Sequence, residues 1–234
     1  MAFHYSPKIV TDGLILYLDA ANSKSFSTAS NTWFDISKSE YNGTLFNGAT
    51  YSTLNGGCIV FDGLDDAVSI PNVDTMLSST GLGTIDFVYK INSVPGSDFR
   101  NIWGFSNSIF QYENNGGFML FVWRYDDLTT YEGVSSGIVN TDLNLYHITC
   151  TYIVTGGSAT FKIYKNGLLV NSKTVNLTSI SKVLIPTSKS PLLLGNNTST
   201  SQNCSIFNFK IYNRELSASE VFQNFNATKT RFGL

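Results

Sequence analysis

Charge is scarce in this chain. Only 14% of its 234 residues are Asp, Glu, Lys or Arg, against roughly 25% in an average domain. Long solvent-facing helices need Glu and Lys along their outer side, so they cannot make up the bulk of the fold. Fifteen basic and 17 acidic residues leave a net charge of −2. No run of Lys or Arg provides the concentrated cationic surface that a phosphate backbone demands, which excludes nucleic acid as the expected partner. Cysteine is nearly absent. Cys58, Cys150 and Cys204 are odd in number and far apart. Without a C-x-x-C spacing, a zinc site or redox pair is not expected, and their apolar surroundings read as buried free thiols. No apolar run approaches the roughly 18 residues of a membrane-crossing helix. Met1 to Pro7 lack the apolar core of a signal peptide, so the expectation is a protein made and assembled in a cytoplasm, without membrane insertion. Triplets such as Asn176-Leu177-Thr178 carry no glycosylation argument without secretion.

What is present is aromatic, apolar and punctuated by turns. Aromatics make up 14% of the chain, and 19 glycines recur between short apolar runs. Leu14 to Leu18 is a continuous apolar strand. Trp33, Phe34 and Ile36 are expected to anchor the polar segment that follows it. Ile85, Phe87, Tyr89 and Ile91 alternate with Thr84, Asp86 and Lys90, with Val88 out of pattern, which predicts a strand packed on one side. Arg100 to Phe105 and Phe118 to Tyr125 read as further strands, with Asn114-Asn115-Gly116-Gly117 as the turn between them. Tyr146, Ile148, Cys150 and Tyr152 share one face, and His147, Thr149 and Thr151 the other. Asn166-Gly167 between two strand-like runs predicts a type I′ hairpin turn. Pro191 to Gly195 and Ser205 to Tyr212 are late strands. One short helix follows. Ser217 and Glu220 form a capping box, and Val221, Phe222 and Phe225 make its apolar side.

About a dozen short strands closed by one C-terminal helix imply an all-β fold, an antiparallel jelly-roll sandwich of two sheets. A length of 234 residues suits one domain. The expected layout is an N-terminal arm over residues 1–12, the sandwich over 13–228 and a C-terminal tail over 229–234. The segment before Thr11 and the tail after Ala227 are expected to contact neighbouring subunits.

Asp62-Gly63-Leu64-Asp65-Asp66 links two short apolar runs with turn chemistry, and three carboxylates crowd it. They either cap backbone N–H groups or hold a hard cation. Sugars are held by aromatic faces with polar groups nearby, and Trp103, Trp123, Arg124, Tyr125, Asp126 and Tyr131 are the candidate platform. The alternative for Trp103 and Trp123 is the core. For nucleophilic catalysis only His4 and His147 are available as bases. His147 and Cys150 fall on opposite faces of one strand and cannot form a dyad directly.

Four segments, taken together, resemble the concanavalin A-like lectin/glucanase superfamily in its laminin-G-like branch. They are Phe61 to Val68, Thr84 to Lys90, Tyr146 to Tyr152 leading to Tyr164-Lys165-Asn166-Gly167, and Ile211 to Glu220. The phrases Ile9 to Leu14, Leu18 to Asn22, Gln223 to Ala227 and Thr230 to Leu234 look like those of tailed-bacteriophage virion proteins that carry this domain. The resemblance implies a jelly roll, a particle component assembled in the host cytoplasm and located in the virion, and other virion proteins of capsid, neck or tail as partners. It implies one structural Ca²⁺ at Asp62, Asp65 and Asp66, although relatives often carry an acid in the strand where this chain offers only Asn208. No other cofactor is expected. Glucanases of this fold draw paired carboxylates from one strand. No Glu-x-Asp-x-x-Glu pattern occurs, and Glu40, Glu113 and Glu132 are isolated, so a non-enzyme is expected. The functional expectation is a virion structural or decoration protein with weak glycan adhesion. A dedicated host-attachment adhesin for cell-surface glycans is the alternative, and a glycoside hydrolase a distant third.

Overall fold

The computed structural model describes residues 7–71, 81–94, 100–105, 110–115, 118–124, 131–139, 141–155, 157–176, 191–195 and 201–234. Among them, sixteen strands form two eight-stranded sheets, with one long helix at the C-terminal end. The first sheet holds β1 (Leu14–Asp19), β4 (Thr50–Ser52), β5 (Cys58–Asp62) and β7 (Leu82–Ile91). To these it adds β12 (Leu145–Thr155), β13 (Ser158–Lys165), β14 (Leu168–Asn176) and β16 (Asn203–Tyr212). The second sheet holds β2 (Thr32–Trp33), β3 (Gly43–Phe46), β6 (Ala67–Ile70) and β8 (Arg100–Phe105). Its other members are β9 (Phe110–Asn115), β10 (Phe118–Arg124), β11 (Tyr131–Val139) and β15 (Leu192–Leu194). The expected all-β sandwich is the fold.

The strand β16 is the spine of the first sheet. One edge pairs with β7 along its length, and the other is shared by β5 at Asn203–Ile206 and β1 at Asn208–Tyr212. Inward side chains of both sheets interdigitate in one aromatic core. Phe87 meets Trp103 and Tyr112 edge to face, and Trp103 meets Phe209 likewise. Each such ring, fully buried, contributes roughly 1.5–3 kcal/mol. Cys58, Cys150 and Cys204 are buried and unbridged, as expected. Trp33 is an anchor in this core, whereas Phe34 is 40% exposed and does not serve as one.

Two expected features need correction. Asn114 and Asn115 belong to a strand, Phe110–Asn115, that pairs with both Arg100–Phe105 and Phe118–Arg124, so the two expected strands are not hairpin neighbours; Gly116 and Gly117 lie outside the described residues. The strand β7 is also packed on both sides. Ile85, Phe87, Tyr89 and Ile91 face the sandwich core, while Thr84, Asp86 and Val88 are equally buried on the opposite face. The helix α1 (Ala218–Phe232) helps to close that face.

The helix α1 starts on the expected capping box. Ser217 Oγ accepts from the Glu220 N–H, and the Glu220 carboxylate accepts from the Ser217 N–H. Gly233 caps its C-terminus in the left-handed conformation, so residues 229–232 are helix rather than tail. Val221, Phe225 and Phe232 are its buried apolar residues, whereas Phe222 is 45% exposed. Phe232 packs on Cys58, Val88 and Phe207, which explains the out-of-pattern apolar Val88. A bulge in β16 between Ile206 and Asn208 lets the consecutive residues Phe207 and Asn208 both face outward, Phe207 into this cluster. Asn166 and Gly167 adopt the positive φ angles of a type I′ turn. A Cβ on Gly167 would stand 2.9 Å from the Phe225 ring, so the turn also seats the helix.

The helix covers charge as well as apolar surface. Asp86 and Lys210 are 0% exposed and bond at 2.6 Å. The other Asp86 oxygen meets His147 Nε2 at 2.9 Å and accepts from Thr149 Oγ1 at 2.9 Å. From the helix, Asn224 Nδ2 donates to Tyr212 Oη, and its Oδ1 accepts from the Val10 N–H. The Tyr212 hydroxyl donates to the Val10 carbonyl, and Gln223 Nε2 reaches the Lys8 carbonyl. Residues 8–10 are thus bound to the chain's own helix, and Phe232 to its own sheet.

Burial alone would raise the Asp86 pKa, but His147 and Lys210 outweigh it and hold the carboxyl well below the usual range. A depressed carboxyl contributes stability above its unfolded pKa of about 3.9, and that stability is lost as pH falls. Glu220 acts with the same sign. The Arg214 guanidinium bonded to it and the Ser217 cap lower it from 4.5 to about 2, against the effect of burial. The melting temperature is therefore expected to fall as pH drops below about 4.5, and a transition insensitive to pH between 5 and 2 would contradict this. Asp86→Ala leaves Lys210 buried without its anion, and should cost about 3–5 kcal/mol, read as a lower urea midpoint.

Candidate functional site

The acidic turn is a corner between the sheets. The strand β5 ends at Asp62 in the first sheet, and β6 starts at Ala67 in the second. The two do not pair: β5 pairs with β4 and β16, and β6 with β3 and β15. The link therefore carries the chain across one end of the sandwich, rather than closing a hairpin. Asp62 Oδ1 accepts from the Leu64 N–H at 2.7 Å, an Asx turn, and Asp66 Oδ2 accepts from the Asp62 N–H at 2.9 Å. Gly63 takes φ +83°, and a Cβ there would lie 2.7 Å from the Asn203 nitrogen. Asn47 Nδ2 donates to the Asp65 carbonyl and Ser201 Oγ to the Leu64 carbonyl, so neighbouring loops pin the corner.

Asp62, Asp65 and Asp66 bring one carboxylate oxygen each within 4.8 Å of one another. Asp62 and Asp65 are exposed, while Asp66 is 5% exposed. Burial and then the Asp62 and Asp65 charges raise the Asp66 pKa, against the bond from the Asp62 N–H. Three convergent hard oxygens suit calcium in kind and spacing. Two of the carboxylates already close the corner through backbone N–H groups. Asn208 does not join them. It lies five residues along β16 from Asn203, the partner of Asp62, about 16 Å away at strand rise. Its Oδ1 accepts from Lys210 Nζ at 2.9 Å instead.

The expected aromatic platform is divided. Trp123 is 0% exposed and stacks on Phe161 at 3.6 Å between ring centroids, so it is core and cannot meet a sugar. Trp103 is core as well. Arg124 and Tyr131 are directly opposite in the β10–β11 pairing, at the end of those strands. Tyr125 and Asp126 lie outside the described residues, as does Asp127.

Of the two histidines considered for catalysis, His4 lies outside the described residues and His147 is enclosed. His147, 1% exposed, is bound to Asp86 beneath α1. Cys150 lies on the opposite, core face, where burial raises its thiol pKa. Sequence reasoning missed Lys210 and Asp86 as a pair. Their signal was two opposite charges at outward positions in the middle of long strands that later pair, Lys210 with Asp86.

The described residues line two concavities that are open to solvent. One, of about 430 Å³, runs between β13–β14 and the start of α1, with Tyr164, Leu169 and Leu216 as apolar walls and the Lys162–Glu215 ion pair at 2.8 Å. The other, of about 130 Å³, adjoins the acidic corner and takes in Asp62, Arg100 and Gln202. No helix among the described residues is long and apolar enough to cross a membrane.

Similar folds are found among toxin binding domains. The binding domain of botulinum neurotoxin DC, solved in complex with SialylT, superposes with a TM-score of 0.70 at 18% identity. The match covers 93% of this chain and 52% of that one. Botulinum neurotoxin type C, whose uptake into cells depends on interaction with two ganglioside molecules, gives 0.67 at 18%, over 92% and 51%. The binding domain of Paraclostridial Mosquitocidal Protein 1 gives 0.64 at 16%, over 92% and 52%. The chain thus spans about half the length of these structures, and the likeness is one of fold. A search of curated proteins finds no match. Residues 61–222, from the acidic corner to the helix, match a laminin-G family of the concanavalin A-like lectin/glucanases, and the chain belongs to that superfamily.

Proposed function

We propose that the chain is a non-catalytic display module: a lectin-like jelly roll in the virion of a tailed phage, assembled in the host cytoplasm. In this reading it is held by other virion proteins of capsid, neck or tail and adheres weakly to cell-surface glycans. The observation that supports it is the enclosure of one acid–base pair and of the thiols: His147 and Asp86 are locked together under α1, and the three cysteines are buried. The fold's relation to binding domains of glycan-dependent toxins supports adhesion. The phrases resembling virion proteins support the particle.

A dedicated host-attachment adhesin is the second reading, favoured by those same toxin domains. A hydrolase is the least supported, since Asp62 and Asp66 each spend an oxygen on the corner's own backbone. Antibody labelling of purified particles is expected to find the protein on the virion surface, and a glycan array to give weak, multivalent binding. Absence from particles together with array binding would favour the adhesin. Turnover of chromogenic glycosides would overturn the non-catalytic reading.

The proposal includes a structural calcium at Asp62, Asp65 and Asp66, where the cation would relieve the mutual repulsion of three carboxylates. Calcium is expected to raise the melting temperature and EDTA to lower it, with both effects lost in Asp65→Asn. An unchanged melting temperature in all three conditions would leave the backbone bonds as the only closure of the corner.

A further inference from the structure

Where α1 begins, its cover of the first sheet ends in the larger of the two concavities, about 430 Å³ in volume. Lys162 and Tyr164 alternate with Phe161 and Ile163 along β13, so they stand on the outer face while Phe161 and Ile163 enter the core. Leu169 lies opposite Tyr164 on β14, and Thr151 lies opposite Lys162 on β12. Glu215, Leu216 and Ala218 close the other side, where the chain passes from β16 into the helix.

Tyr164 is the informative member. The residue is 3% exposed, and its ring belongs to the cluster of Leu216 and Val221. Its hydroxyl nevertheless makes no hydrogen bond to the rest of the chain, and the oxygen is not among the atoms that the fold seals from solvent. Burial raises the Tyr164 pKa, the Lys162 charge then lowers it and the Glu215 charge raises it, so Oη lies within reach of both. A buried ring thus carries a reachable, unused hydroxyl to the wall of the groove, beside an ion pair.

The polar capacity left over says what kind of ligand fits. Glu215 Oε1 accepts from Lys162 Nζ at 2.8 Å and from Thr151 Oγ1 at 3.2 Å, which leaves Oε2 unused. Lys162 spends one of its three donors on that bond. The two side chains are 33% and 24% exposed, so both are reachable. Their formal charges cancel. A charged ligand would be drawn to one member of the pair and repelled by the other. A neutral polyol uses both, with one hydroxyl accepting from Lys162 and its neighbour donating to Oε2. Leu169, 54% exposed, and Ala218 supply the apolar surface that a sugar's C–H groups need. A volume of about 430 Å³ is toward the lower end of the roughly 300–1,000 Å³ of small-molecule pockets. It suits a short glycan end rather than a long chain.

We propose that this groove is a saccharide subsite for the neutral end of a glycan, with Lys162, Glu215 and Tyr164 as its hydrogen-bonding groups. It rests on the glycan reading above and gives it a place on the molecule. None of its residues belongs to the acidic corner or to the aromatic run around Trp123.

The test is a titration of the isotope-labelled full chain with the methyl glycosides of glucose, galactose, mannose and N-acetylglucosamine, followed by amide NMR. At least one is expected to shift the Leu169, Leu216 and Ala218 amides. Tyr164→Phe removes a hydroxyl that bonds to nothing in the chain. Lys162→Met removes the ammonium from a partly exposed ion pair, of a kind that adds little stability. Both variants should melt within about 3 °C of the parent. Each should weaken binding about threefold or more, and the double variant about tenfold or more, or 1.4 kcal/mol. If a glycoside or the array shows binding that the double variant leaves unchanged, the subsite is refuted while the glycan reading stands. If neither glycosides nor array show binding, both fall. Shifts of the Leu169 and Ala218 amides with sodium butyrate, and with none of the glycosides, would make the groove a site for apolar anions and overturn the proposal.

Discussion

The buried pair of Asp86 and Lys210 is the constraint around which the rest of the structure is arranged. Two opposite charges, each 0% exposed, meet at 2.6 Å on the outer face of the first sheet. Charges taken out of water cost several kcal/mol each, and their attraction offsets this only when the remaining polar capacity is also satisfied. That demand accounts for the neighbours. His147 and Thr149 from β12 complete Asp86, Asn208 supplies a second acceptor for Lys210, and Asn224 brings the helix into the network. Apolar clusters at either end of α1 then secure it, with Val221 near one end and Phe232 at the other. Whether the pair adds net stability over an apolar replacement is a separate matter. Its clear effect is that the sheet's outer face must be covered.

That cover decides where function can lie. An open face of a jelly roll is a natural binding surface, but here α1 and residues 8–10 occupy it. The sandwich core closes the inner faces. Among the described residues, the acidic corner is an end of the sandwich that stays open to solvent, where the chain passes from β5 to β6 between sheets. Its bonds make it rigid: two Asp side chains hold the local backbone, and Asn47 and Ser201 tie it to other loops.

Much of this was readable in the residues, and the failures have physical causes. The alternation in β7 and β12 identified the core face correctly, and Asn166-Gly167 and the Ser217–Glu220 box named a turn and a helix start. Those are local signals with local mechanisms. Period-two alternation says which residues share a face, but not what covers the other side. Asp86 and His147 therefore looked solvated when they are enclosed. A turn signal likewise does not reveal whether its flanking strands pair, so the Asp62–Asp66 link read as a simple strand–turn–strand unit. The strands β9 and β11 escaped notice because FQYENN and YEGVSSGIV are polar or rich in small residues. Their place is set by pairing with β10. Trp123 illustrates the same limit for a site: its sequence neighbours suit either core or sugar platform, and only Phe161, stacked on it from the other sheet, decides.

The phrases at the two ends of the chain bear on how far family likeness reaches. Asp12 pairs with Arg214, Val10 bonds to Asn224, and Asp19 pairs with Arg231, which also donates to the Asn55 and Gly57 carbonyls. These residues stitch the N-terminal segment to the C-terminal helix and close the sandwich over its buried charges. They speak to how the fold is completed rather than to what it touches. Ligand choice has to reside in residues that closure leaves free.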